Sequence, residues 1–302
     1  METQTLPTLQ FKKLTLNDIP LVRPYLEQAK SRLCDSTVGG IFMWRDYFGT
    51  EYAICHDTVF FKVKYLHDTT AFTIPMGADA LHCVEAILGY CRAERLPAVF
   101  CTVTERALRV MERHFTVKSA VTERDWFDYV YNSADLMTLA GKKYAGQRNH
   151  IHQFQRTYGN HEFVPVTAEN IPLAVEFLHR FFGDDGDYDG TGLAEKKTVL
   201  ELFDNYGAYG LLGGLLLADG KVIALSAGEV IGDTLFVHIE KADTSYHGAY
   251  QMMVNAFANY YGGGTAYINR EEDVGDEGLR TSKLSYHPAF LLEKYTVEIG
   301  LN

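Results

Sequence analysis

Apolar positions recur along the chain in two rhythms, one suited to strands and one to helices. In the first half, Thr58 to Lys64, Thr70 to Pro75 and Pro97 to Val103 have the length and pattern of strands. Leu81, Val84, Ile87 and Leu88 share one face of a helix predicted over Asp79 to Arg95. Thr104 to His114 predicts another helix, and Val117 to Tyr131 two more strands. In the second half, Leu211 to Ala218, Val222 to Val230 and Thr234 to Glu240 read as strands. Asp219-Gly220 and Gly232-Asp233 are the hairpin turns between them. A helix over Gly248 to Tyr260, a strand over Thr265 to Asn269, a helix over Asp276 to Ser285 and a closing strand over Ala289 to Ile299 follow.

The two halves share more than element order. Phe11–Leu26 lies over Phe163–Leu178 at an offset of 152, with six of sixteen positions identical. In each copy a short strand ends at a threonine, Thr15 or Thr167, whose hydroxyl can cap a helix. Asp18 or Asn170 follows three residues later, and Pro20 or Pro172 suits the first turn, where no amide partner is lost. The pattern predicts an α+β chain with mixed sheets, built from two copies of one domain at 1–140 and 161–302. A linking helix at 141–160 joins them, filled by Lys142 to Tyr158 and ended by Gly159-Asn160.

A length of 302 residues suits two domains. The net charge of −11 argues against a general nucleic-acid binder, while leaving room for a local basic patch. Five cysteines without a CxxC pair predict thiols in a reducing compartment. Met1 to Gln10 lacks the basic start and apolar stretch of a signal peptide, and no apolar run reaches membrane-spanning length, so a cytoplasmic protein without a transmembrane segment is expected.

Three segments could carry chemistry. Leu136 to His161 has no acidic residue but holds Lys142, Lys143, Arg148, Arg156, His150, His152 and His161, a stripe fit either for an anion or simply for water. The turn Ser245-Tyr246-His247-Gly248-Ala249 leads into a helix, and its glycine would let an anionic ligand approach the free amides there. Asn269 to Lys283 follows a buried strand. In its helix Asp276, Arg280 and Lys283 fall within about 60° of one another at about 100° per residue, between Leu279 and Leu284. A charged stripe on the side that should pack needs partners, so it marks either a cleft or an internal ion-pair network. Two metal-like patterns are weak. Asp185 to Gly190 resembles the start of an EF-hand loop, but its twelfth position is Lys196. His150-Ile-His152 is too short a pair to specify a metal, and no metal is expected.

Glu240-Lys241-Ala242, Gly248-Ala249-Tyr250, Arg148-Asn149-His150 and Asn269-Arg270-Glu271-x-Asp273-x-Gly275-x-x-Gly278-Leu279-Arg280-x-x-Lys283 together resemble a known family. The chain is similar over nearly its whole length to the C-terminal domain of bacterial phosphatidylglycerol lysyltransferases, in a stand-alone branch without their transmembrane part. The resemblance implies a duplicated N-acetyltransferase (GNAT) fold of the Fem type, with the first copy degenerate and the second active. It implies acyl or aminoacyl transfer to a small-molecule amine or hydroxyl, with aminoacyl-tRNA or acyl-CoA as donor and tRNA as a partner in the first case. Asp273 or Glu240 is expected as the base, and Asn269 as the group orienting a carbonyl. Arg148, Asn149, Arg270, Glu271, Arg280 and Lys283 are expected on the substrate, and Tyr246, Gly248 and Ala249 on a cofactor. Ser245 and Tyr250 depart from the GNAT pyrophosphate loop. That departure favours one alternative, a binding protein without catalysis, and counts against the other, acetyl-CoA-dependent transfer, where Tyr250 would crowd a pyrophosphate.

Overall fold

The computed structural model describes residues 9–65, 68–183 and 190–301; the acidic segment Asp185–Asp189 lies outside them. The first half runs β1 (Lys12–Lys13), α1 (Ile19–Ala29), α2 (Val38–Met43), β2 (Glu51–Cys55), β3 (Thr58–Tyr65), β4 (Thr69–Phe72), β5 (Met76–Gly77), α3 (Ala80–Glu94), β6 (Ala98–Val103), α4 (Glu105–His114), β7 (Val117–Thr122), β8 (Asp128–Asn132) and α5 (Ser133–Thr138). A 3-10 turn at Lys142–Tyr144 opens the linking helix α6 (Ala145–Thr157). The second half runs β9 (His161–Pro165), α7 (Ile171–Phe182), α8 (Gly190–Asp204), α9 (Tyr206–Tyr209), β10 (Leu212–Ala218), β11 (Lys221–Ile231), β12 (Thr234–Ala242), α10 (Ala249–Tyr261), β13 (Tyr267–Asn269), α11 (Glu277–Leu284), β14 (Phe290–Leu292) and β15 (Tyr295–Ile299).

The repeat has the same local chemistry in both copies. The Thr15 amide donates to the Asp18 carboxylate at 2.8 Å, and the Thr167 amide donates to the Asn170 side-chain oxygen at 2.8 Å. The side chain three residues into the turn thus reaches back to the threonine amide, which is the second half of a capping box. The Thr15 hydroxyl itself donates to Asp18 at 2.7 Å.

Two mixed sheets result, ordered β1-β2-β3-β4-β6-β15-β7, with β5 beside β3, and β14-β8-β13-β12-β11-β10-β9. The halves exchange strands. β8, from the first half, lies between β13 and β14, while the chain's last strand lies between β6 and β7. The closing stretch, expected as one strand, is therefore two strands in different sheets, with Glu293 and Lys294 at the crossing. A periodicity of two marks a strand but not its neighbours, so the crossing left no trace in the pattern.

The largest apolar core also joins the halves. Ile19, Val22 and Leu26 of α1 and Phe42 of α2 pack in one cluster with Phe177, Leu178, Leu202, Phe203 and Leu225. In the second sheet, parallel β12 and β13 pair only over Thr234–Phe236 and Tyr267–Asn269. Beyond that, Val237 to Ala242 pairs with β11 alone, and the chain turns away at Arg270, leaving a wedge between the strands.

Candidate functional site

Segment 269–283 leaves β13 at the mouth of this wedge, and its polar groups are tied to one another. The Asn269 amide donates to the Arg32 carbonyl and to Asp128, both at 2.8 Å, and its oxygen accepts from the Glu271 amide at 2.7 Å. Arg270 crosses the wedge to Glu240 at 2.7 Å, with its guanidinium 4.8 Å over the Tyr286 ring. Its Nη1 has no partner. Beside this pair, among Leu235, Val237, Val254, Phe257 and Ile268, is a cavity of about 10 Å³, room for about one water. Lys283, expected to hold a donor phosphate, instead donates to the carbonyls of Arg270, at 2.6 Å, and Glu272. Burial and the neighbouring Arg270 cation lower its pKa.

Asp273 is fully buried. Its carboxylate accepts from the Tyr129 hydroxyl at 2.5 Å, Arg280 at 2.7 and 2.9 Å, the Gly275 amide at 3.0 Å and Arg124 at 3.3 Å. Burial alone would raise its pKa; the hydrogen bonds from Arg280, Tyr129 and Gly275 override that and hold the carboxyl well below the usual carboxylate range. Such a group is a weak proton acceptor, and the geometry makes it the anchor of the loop. Arg280, expected on a substrate, also pairs with Asp125 at 2.6 Å. Of the expected inward stripe on α11 only Lys283 is buried; Arg280 is half-buried, and Asp276 at the helix cap is exposed, as are the flanking Leu279 and Leu284.

A second network, absent from the sequence reading, fills the seam between the halves. Lys294, buried at the strand crossing, donates to Asp35 at 2.6 Å, Asp128 at 2.7 Å, and Glu272 and the Cys34 sulfur at 3.3 Å. Burial lowers its pKa, but the surrounding carboxylates win and raise it well above the ordinary lysine value. Cys34, Asp128 and Glu272 lie close enough to share a metal ion, but the Lys294 ammonium is the cation they surround. Alongside, His238 is buried between Glu271, 2.7 Å from Nδ1, and Glu229, 3.0 Å from Nε2. Burial opposes its protonation, but the two carboxylates carry its pKa up to about 10. Burial pushes the Glu271 carboxyl up. Gly39 of α2 lies against the His238 ring, where an added Cβ would stand 2.2 Å from Cδ2. Its amide donates to Glu229 at 2.7 Å. The rim of this seam is acidic and half-open: the side chains of Asp35, Glu271 and Glu272 are 31%, 22% and 19% exposed. Of this network only Glu271 is among the residues expected at the site; Asp35, Asp128, His238 and Lys294 come from four separate segments of the chain.

The expected cofactor turn is occupied by protein. Gly248 is in the left-handed region, φ +88°, and a Cβ there would stand 2.6 Å from the His150 carbonyl oxygen. The glycine thus admits the backbone of α6, placing a carbonyl oxygen where an anion would need donors. Ala249 is buried, and Tyr246 packs on Tyr158 at 5.1 Å. Arg148 points away, donating to the carbonyls of Leu139 and, at 2.7 Å, Gly141. Asn149 is exposed, as are Lys142, Lys143, His152 and Arg156, so the linking helix keeps an open basic face.

These two mixed, strand-exchanged sheets define a duplicated GNAT-like fold of the Fem type. FemX superposes with a TM-score of 0.63 at 9% identity, over 95% of this chain and 96% of that one. The chain belongs to the family described as phosphatidylglycerol lysyltransferase, C-terminal, which it matches over residues 26–298. A conserved protein of unknown function from Bacteroides thetaiotaomicron is 33% identical, with a TM-score of 0.87 over 97% of this chain and 100% of that one. L-PGS from Bacillus licheniformis gives a TM-score of 0.66 at 12% identity, over 92% of this chain and 91% of that one. An uncharacterised protein of Mycoplasmoides gallisepticum is 25% identical over 175 residues, 57% of this chain and 56% of that relative's length. No helix among the described residues is long and apolar enough to cross a membrane.

Proposed function

We propose that this protein is an acyltransferase of the aminoacyl kind, moving an acyl group from an ester donor to an amine or hydroxyl. The family name denotes lysyl transfer to phosphatidylglycerol, and the reading keeps the reaction class while leaving the lipid aside. The observation that carries it is the half-open acidic rim of Asp35, Glu271 and Glu272 over buried Lys294 and His238. The outer, solvent-reaching edges of these carboxylates suit the ammonium of an aminoacyl group or of an amine acceptor, while their inner edges hold Lys294 and His238. Glu271 replaces Asp273 as the proposed proton acceptor, since its raised pKa lies nearer the operating range. It would take the acceptor's proton as the new bond to the acyl carbon forms. That proton then leaves with the donor oxygen as the old ester bond breaks. The exposed Lys142, Lys143, His152 and Arg156 of the linking segment would meet a phosphate-bearing donor such as aminoacyl-tRNA.

The test is transfer from a panel of charged tRNAs to amine and hydroxyl acceptors. Turnover is expected, with Glu271→Gln lowering kcat about 100-fold or more at unchanged secondary structure. Full activity in that variant would remove Glu271 from the mechanism. A second reading, ligand binding without turnover, is favoured by the turn before α10, where Gly248 meets the His150 carbonyl in place of a cofactor phosphate. Strong thermal stabilisation by a metabolite, with every transfer assay silent, would select it.

A further inference from the structure

We propose that His150 and His247 together hold a divalent cation of the zinc class at the head of α10. His150 lies on the linking helix and His247 in the turn before α10, 97 residues away. They meet because Gly248 lets the α6 backbone approach that turn. His150 Nδ1 and His247 Nε2 are 3.3 Å apart. Two zinc–nitrogen bonds of about 2.0–2.1 Å at the tetrahedral angle place their nitrogens about 3.3 Å apart. Without an ion the two rings share a hydrogen bond at this spacing, which a bound cation would replace with no movement of either ring. The rings are tilted by 58° with centroids 5.1 Å apart, so they are not stacked on each other. His247 is exposed and His150 half-buried, so an ion can reach them from solvent.

No third histidine, cysteine or carboxylate ligand joins this pair among the described residues. Two positions of a tetrahedral ion would then stay open for water or an anionic oxygen, one more than in a zinc site with three protein ligands, so the ion is held reversibly. The other ligand cluster, Cys34, Asp128 and Glu272, lacks this opening because Lys294 fills it. The site stands on the imidazole geometry alone and does not rest on the transferase reading.

Calorimetric titration of the metal-stripped full chain with Zn²⁺ tests it, with Co²⁺ as a spectroscopic probe. One micromolar site is expected, and the cobalt form should show the visible absorption of tetrahedral coordination. His150→Ala and His247→Ala should each weaken binding at least about tenfold, while His152→Ala, two residues along on the far side of α6 and exposed, should leave it unchanged. Both histidines lie at the surface, and far-ultraviolet circular dichroism checks that the variants fold. Absence of binding in the parent chain overturns the proposal. So does binding that survives both substitutions, or binding that His152→Ala abolishes.

Discussion

Asp273 shares its two oxygens among Arg280, Tyr129, Arg124 and the Gly275 amide, so its removal should be felt as lost stability. Asp273→Ala leaves these donors without their acceptor and is expected to cost about 3–5 kcal/mol. Glu105→Ala, which breaks a fully exposed pair with Arg109, should change stability by less than about 0.5 kcal/mol. Urea denaturation of the two variants measures the contrast. The same carboxylate and His238 act in opposite pH windows. Asp273 is depressed in the fold, so its contribution is present above its unfolded value of 3.8 and is lost as pH falls below that. His238 is raised from 6.5 to about 10, so its contribution is full below pH 6.5 and is lost as pH rises through 10. His238→Gln should therefore flatten the decline in stability between neutral and alkaline pH. An unchanged slope in that variant would mean that His238 is not the titrating group.

At the scale of elements, Gly248 separates the two readings of its turn. Its left-handed backbone and the 2.6 Å approach of the His150 carbonyl mean that Gly248→Ala should push the linking helix off α10. We expect a loss of about 2–4 kcal/mol, read as a lower melting temperature and faster amide exchange in α6. Replacing a glycine that merely made space for a ligand would cost only the left-handed backbone strain, about 1–2 kcal/mol, and leave amide exchange in α6 unchanged. The sequence shows a glycine before a helix in either case, because a glycine records a close approach without recording what approaches. The same reason governs how far the site was legible. The strands β10 to β12 and the helices α3, α4, α6, α10 and α11 followed from periodicity and turn residues, within a few positions. The inward placement of Lys283 on α11, with Arg280 half-buried beside it, was legible because the two fall at helical spacing on one side. The seam was not, since Asp35, His238, Glu272 and Lys294 are each unremarkable alone and meet only through the exchange of β8 and β15.

For the whole molecule, that exchange decides what can fold alone. A chain ending at residue 140 carries β8 without its neighbours β13 and β14, and its first sheet lacks the strand that pairs β6 with β7. It would also expose the faces of α1 and α2 that pack on Phe177, Phe203 and Leu225. Bare strand edges and an open apolar face favour aggregation. Neither 1–140 nor 161–302 should be soluble and folded when expressed separately, although the repeat makes each resemble a domain. A finer cut isolates the crossing. Truncation after Glu293 removes Lys294 and β15 while sparing the second sheet's strands. Asp35, Asp128 and Glu272 then lose the ammonium that separates them, and carboxylates left facing one another repel. Hydrogen exchange should show β6 and β7 unprotected in the truncated chain, with β10 to β12 still protected. Lys294→Met keeps the strand but removes the charge. If the seam is held chiefly by the ammonium, this variant should lose stability around Cys34 and Asp35 while β6 and β7 stay protected. Protection unchanged at both places would mean that apolar packing alone joins the halves.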